Sequence, residues 1–370
     1  MKVVLALLYS VIVFVLISCA SQVESTETPI DAAGSEEVHQ IEKPPYMAIL
    51  EEYNLSTAAP FSLPAPGYIG LFTVGNDNCD YKSLSEALAS DKVKEGFLLQ
   101  LTEAEYTESE LEVSKSIIIK GMTDATTVIR AKEPEDKARG RIFTVVPGAH
   151  LTLMNIHLEN GQPIDSLRTG GAICNYGRLT LYHCVLSDNT ANCGGAIHNE
   201  KGTLIALGCK FYGNYADGKN KDGRDCGSGG AVKTQDDGTA ILIDCVLEDN
   251  RAKYKGGAVK TSCLSRTVIV DCRIADNRCV ATGGGIDSGG PLHIVHTTIT
   301  GNEARGRKRY SSFAGLKAGS GIYAKGDLFL YDSVVTDEDS HYDVVVEPGS
   351  IFVNSNNLIG NSEYDSTHNR

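Results

Sequence analysis

Tryptophan is missing from the 370 residues, and methionine (4) and proline (11) are scarce. The first absence removes the best stacking side chain, so an aromatic platform has to come from tyrosine. With glycine at 38, about a tenth of the chain, the profile suits many turns and short strands rather than a helix bundle. A hydrophobic share of 42% excludes collagen and wholesale disorder. Positive charge is also short, 34 Lys and Arg against 47 Asp and Glu for a formal net of -13. The chain as a whole is therefore repelled by nucleic-acid phosphates and anionic membranes, and no nucleic-acid partner is expected. Any anion-binding role has to come from a local basic patch.

Long apolar runs are limited to one, Val3 to Ile17, preceded by Lys2. It falls short of the ~18 residues a membrane span needs and ends at small residues, so 1–18 reads as a signal peptide. Leu16-Ile17-Ser18-Cys19 resembles the lipobox of bacterial lipoproteins. That resemblance implies diacylation of Cys19 and an exported chain held by a lipid anchor, on the outer membrane or cell surface. Residues 19–43, rich in Ser, Thr, Glu and Gln, read as a disordered tether. Residues 44–72 are Pro-rich but carry apolar side chains from Tyr46 to Phe72, so they read as a segment packed on something apolar. Residues 73–362 form the repeat region, and 363–370 a disordered tail.

An internal repeat sets the fold class. Gly-rich tetrads start at Gly170, Gly194, Gly229, Gly256, Gly283 and Gly319, spaced 24, 35, 27, 27 and 36 residues apart. Interleaved with them, apolar-x-x-Asn tetrads end at Asn189, Asn214, Asn250, Asn277 and Asn302. Five residues before each Asn stands Cys184, Cys209, Cys245, Cys272 or Thr297, and seven before that a turn residue, from Gly177 to Gly290. The phase survives the insertions. Units of about 25 residues cannot close a core alone, but stacked in register they bury a continuous one. The expectation is all-β, a single-stranded parallel β-helix whose equivalent residues lie about 4.8 Å apart in ladders.

Gly194-Gly195-Ala196-Ile197 and Phe211-Tyr212-Gly213-Asn214 resemble the paired tetrapeptides of chlamydial polymorphic membrane proteins. More widely, the repeats resemble right-handed, pectin-lyase-like β-helices, strongly over 170–335 and more weakly over 70–160. The resemblance implies right-handedness and a capping helix around Tyr81 to Leu88, where Ser83 and Glu86 fit a capping box. Its family's autotransporters end in a membrane barrel, which is not seen before Arg370, so anchoring differs and an adhesin role carries over only in outline.

The column Cys184, Cys209, Cys245, Cys272 reads as small buried thiols. Cys174, Cys193, Cys226, Cys263 and Cys279 fall in or beside turns and are the candidates for disulfides, with the pairing open. After each Gly-rich tetrad stand Cys174, His198, Lys233, Lys260, Asp287 and Tyr323, which strand alternation places in an outward polar row. A second outward set, including Ile205, Leu207, Ile241, Ile243, Val268 and Val270, is apolar. It calls for a cover, either residues 44–72 or a partner.

The corner after each Asn is basic: Arg251, Lys253 and Lys255, then Arg278, then Arg305, Arg307, Lys308 and Arg309 against a single Glu303. Clustered cations focus a field on anions, and Arg forks suit carboxylates and sulfates. These eight residues are the expected ligand contacts, with Lys233 and Lys260 in the floor of the groove they bracket. The favoured reading is a surface-tethered, non-catalytic β-helix platform binding acidic polysaccharide or a cell-surface partner, adhesin-like. The alternatives are a polysaccharide lyase or hydrolase and a structural envelope component. Lys233, Lys260, His198, Tyr323 and the pair Asp244 and Asp271 are the parts available for catalysis, and that pair is also the candidate hold for Ca2+; no other cofactor is expected. Asp236-Asp237 has the look of a paired acid but precedes Gly238, as turn residues do.

Overall fold

The computed structural model describes residues 50–51, 67–122, 127–132, 140–165, 168–218, 227–306, 319–337, 342–360 and 362–363. The signal segment, Cys19 and the tether lie outside them. The strands form four parallel sheets of eleven, ten, five and ten members. One coil shows the scheme: Thr203–Leu207 in sheet 1, Lys210–Tyr212 in sheet 2, Tyr215–Ala216 in the five-stranded sheet 3 and Val232–Gln235 in sheet 4. Thr239–Ile243 then pairs with Thr203–Leu207 to start the next coil. Parallel crossovers of this kind run right-handed, and the chain is a right-handed parallel β-helix. Its first strand, Gly70–Val74, begins three residues ahead of the expected boundary because it pairs with Phe97–Leu101.

Three corner positions explain the repeat. The first Gly of each tetrad from Gly170 to Gly283 takes a positive φ (Gly194 61°, Gly229 69°, Gly256 62°), which favours glycine; Gly319, which opens the looser last tetrad, does not. The second has no room for a side chain: a Cβ on Gly230 would meet the Gly257 carbonyl oxygen at 2.0 Å. Asp and His hold several of the other left-handed corners, among them Asp249 (54°) and Asp276 (56°) before the repeat Asn, and Asp244 (51°), Asp271 (52°) and His296 (46°) before the Cys column. Asp236 and Asp237 are likewise positive-φ turn residues, which accounts for their pairing.

Inside, Leu186, Phe211, Leu247, Ile274 and Ile299 stack in register with no exposed surface. Beside them the repeat Asn side chains form a buried ladder. Asn214 Nδ2 donates to Asn250 Oδ1 at 2.9 Å, Asn250 Nδ2 to Asn277 Oδ1 at 3.0 Å and Asn277 Nδ2 to Asn302 Oδ1 at 3.0 Å. The same amide nitrogens donate to backbone carbonyls of a preceding coil, as Asn250 does to Phe211 at 2.9 Å. A buried corner needs both donors and acceptors satisfied, which a short amide does and an apolar residue cannot. Cys184, Cys209, Cys245 and Cys272 are free, buried thiols, continued by Thr297 and Ser333. Burial pushes Cys209 and Cys272 up, which suits inert packing.

At the start of the solenoid, helix Leu84–Ala89 has Ser83 as N-cap, its hydroxyl accepting from Glu86 N at 3.1 Å. The Glu86 carboxylate accepts from Lys82 N rather than from the cap residue, so the box is offset by one. Glu108 instead accepts from Leu84 N and Ser85 N at 2.7 and 2.8 Å, tying the helix to the coils. On sheet 1 the outward apolar residues Ile205, Ile241, Ile243, Val268 and Val270 are buried in one cluster with Leu50. The rest of 44–66, apart from Glu51, lies outside the described residues.

Candidate functional site

Sheet 3 is the basic corner. Its strands run Thr190–Ala191, Tyr215–Ala216, Arg251–Ala252, Arg278–Cys279 and Glu303–Ala304. Ala216, Ala252, Cys279 and Ala304 point inward and pack together, and the small residues keep this corner narrow. Outward, Tyr215, Arg251, Arg278 and Glu303 are consecutive partners in register. Two positions further along the chain come Asp217, Lys253, Val280 and Arg305. A pocket of about 250 Å³ opens here, lined by Tyr215, Arg251, Ala252, Lys253, Arg278, Cys279, Val280 and Arg305.

Arg251 and Arg278 are exposed and directly opposed on neighbouring strands. Like charges so placed cost roughly 0.2–1 kcal/mol. Among the described residues Arg251 and Lys253 have no ion-pair partner. Glu303 answers the lower end, 3.8 Å from Arg278 and 2.8 Å from Arg305. At the upper end Asp217 is buried and pairs with Arg168 at 3.2 Å. The expected cations Arg251, Lys253, Arg278 and Arg305 are thus brought together. Lys255 is turned away over the Tyr254 ring, 5.2 Å from its centroid. Arg307, Lys308 and Arg309 lie outside the described residues. Tyr215 was missed by the sequence reading; its position directly after the repeat Asn, in phase with Arg251 and Arg278, was the available signal.

The polar row is in register as expected, from Cys174 through His198, Lys233, Lys260 and Asp287 to Tyr323. It is not an outward, solvated row, and Lys233 and Lys260 do not line the pocket. Cys174, His198, Asp287 and Tyr323 are buried. At Gly170 and Gly283 the left-handed Gly turn brings the residue before the tetrad back against the residue after it. Thr282 donates to Asp287, which also holds Lys260. Thr169 lies 3.7 Å from Cys174, and Lys233 Nζ lies 3.3 Å from Cys193 Sγ of the neighbouring turn. His198 contacts Glu200 at 3.3 Å, and Tyr323 donates to Glu347. Burial, with Lys260 nearby, pushes Lys233 down to about 8; burial pushes His198 down and Tyr323 up. Of the side chains named for catalysis, Lys233, Lys260, His198 and Tyr323 thus lie in one packed row, each in contact with another side chain of the sheet.

Asp244 and Asp271 sit at adjacent exposed corners, but Asp271 contacts His296 at 3.4 Å, which reaches Asp332 at 3.6 Å. Among the described residues no group of three His, Cys, Asp or Glu is arranged to hold a metal ion. Of the cysteines expected to pair, Cys193 is disulfide-bonded, while Cys174, Cys263 and Cys279 are free; Cys174 and Cys279 lie in strands and are buried. Cys226 lies outside the described residues.

By fold and ladder pattern the molecule is of the parallel β-helix class. Within that class, the sequence model of the Chlamydia polymorphic membrane protein repeat matches residues 183–200, the stretch that holds Cys184, Asn189 and the Gly194 tetrad. The chain is also similar to solved structures. A pectate lyase shares 14% identity over 82% of this chain and 80% of that one, with a TM-score of 0.49. The Aspergillus niger pectin methylesterase, in deglycosylated form, shares 14% over 83% and 94%, with a TM-score of 0.41. A rhamnogalacturonan lyase shares 12% over 81% and 89%, with a TM-score of 0.43. No curated protein matches the chain.

Proposed function

We propose that this chain is a surface β-helix protein that binds acidic glycans, or an equally anionic cell-surface partner, through the basic corner of sheet 3, without catalysis. The observation that carries the reading is the in-register pair Arg251 and Arg278 at a pocket, with Lys253 beside it and no acidic side chain among the lining residues. Folding alone disfavours opposed like charges, and an anionic ligand offsets that cost. The matched repeat of a membrane-protein family supports an outer-membrane or surface location, and the resemblance of the leader to a lipoprotein signal supports a tether through Cys19. The role of the solenoid is then a rigid adhesin-like platform.

The test is retention of the purified chain on immobilised polygalacturonate, dextran sulfate and neutral dextran at rising salt, with products assayed in parallel. Wild type is retained on the charged polymers and released by salt, and Arg251→Glu with Arg278→Glu abolishes retention. Equal retention of both proteins overturns the site. New unsaturated or reducing ends overturn the non-catalytic reading.

A further inference from the structure

The pocket has a frame as well as a charge, and the frame limits what fits. Its two columns, read down four rungs, are Tyr215 with Asp217, Arg251 with Lys253, Arg278 with Val280, and Glu303 with Arg305. Asp217 is answered by Arg168, and Glu303 by Arg278 and Arg305, so neither end rung carries surplus positive charge. On the side toward sheet 2, Asp249 and Asp276 stand two residues before Arg251 and Arg278 at the left-handed corners. Rungs are about 4.8 Å apart and strand residues about 3.3 Å, so every one of these acids lies within the ~8 Å screening length of the central cations. With Glu303 set against Arg305 of its own rung, the surplus positive charge among the described residues is confined to Arg251, Lys253 and Arg278, two rungs deep.

Resting on the proposed glycan reading, we infer that the site recognises a single terminal acidic sugar, its carboxylate or sulfate held by Arg251 and Arg278 and its ring against Tyr215, rather than a run of a polyanion. A volume of about 250 Å³ agrees, falling below the ~300–1,000 Å³ of sites for larger ligands. An anionic polymer running along the solenoid axis places its next charge opposite Asp217 or Glu303, and one crossing the strands meets Asp249 or Asp276. Glu303 is the residue that sets this limit at the lower end. It is partly exposed and holds two arginines that a longer ligand needs. Guanidinium forks suit both carboxylate and sulfate, so the recognised chemistry is the anionic group on one sugar ring.

The experiment is calorimetry with the purified full-length chain and galacturonate oligomers of one, two, three and six units, together with galactose 6-sulfate. The wild type binds all oligomers with Kd values per chain within about threefold of each other, and Arg251→Glu weakens every length at least tenfold. Glu303→Gln introduces a length dependence, the hexamer binding at least tenfold tighter than the dimer. A tenfold or greater gain with length in the wild type overturns the single-sugar inference while leaving the basic site intact. Binding that Arg251→Glu does not change, or no binding of any oligomer or of galactose 6-sulfate, overturns the underlying glycan reading itself. Binding of the sulfated sugar alone assigns sulfate, and of the uronate alone carboxylate.

Discussion

The buried amides and imidazoles determine much of what a single substitution does. Asn250 accepts from the backbone N and Nδ2 of Asn214 and donates to the Phe211 carbonyl. Asn250→Ala orphans those groups at ~1–3 kcal/mol each, so a loss of about 3 kcal/mol is expected in chemical denaturation. Asp at the same site keeps the acceptor and is milder. Two histidines govern pH behaviour. Burial, then Arg178, pushes His150 down to about 4, and burial, then Arg266, does the same for His293, which stacks on Phe329 at 4.4 Å. Both are neutral in the folded chain and ordinary, near 6.5, when unfolded. Protons therefore favour the unfolded state below that value: stability is complete above pH 6.5, falls toward pH 4, and loses nothing more to these groups below it. Thermal melting across that window should show the decline, and His293→Gln should flatten it.

Among elements, sheet 3 is the one whose stability and binding oppose each other. Arg251→Glu replaces a like-charge pair with an attractive one, so melting should rise by a few tenths of a kcal/mol while anion retention is lost. A variant that loses both points to a structural role for the arginine. The corner was legible because ladder geometry converts phase in the sequence into adjacency: the residues directly after each repeat Asn are neighbours by construction, and Arg251 and Arg278 needed no further information. The polar row from Cys174 to Tyr323 was legible as a ladder but not in its burial. Alternation says which way a side chain points, not what lies over it, and the fold-back at Gly170 and Gly283 is a dihedral effect written in glycine alone. Leu50 belongs to the same scale. Its burial among Ile205, Ile241 and Val268 predicts that Leu50→Asp exposes the sheet 1 cluster, and light scattering should then show self-association where the wild type shows none.

At the scale of the molecule each described strand pairs only with strands of the coils beside it, so stability is close to a sum over neighbours and the two ends need not behave alike. The N-terminal end is held by helix Leu84–Ala89 and its tie to Glu108. At the other end Phe352–Ser355 pairs, among the described residues, with Leu328–Tyr331 on one side only, and Ile351 and Leu358 are exposed. Leu242 and Phe352 both belong to the continuous core, one in a middle coil and one in the last. Leu242→Ala removes about 2–5 kcal/mol from a coil that both halves depend on, and it should raise hydrogen exchange on either side of it. Phe352→Ala removes as much from a coil with one neighbour, and the increase should stay within residues 328–360 while the Asn ladder from Asn189 to Asn302 keeps its protection. Exchange followed by mass spectrometry separates the two patterns. A uniform rise in both variants would mean that the solenoid unfolds as one cooperative unit and that the nearest-neighbour account fails. A local rise in the second alone means that the coils carrying the arginine corner stay folded while the far end frays, as the proposed binding platform requires.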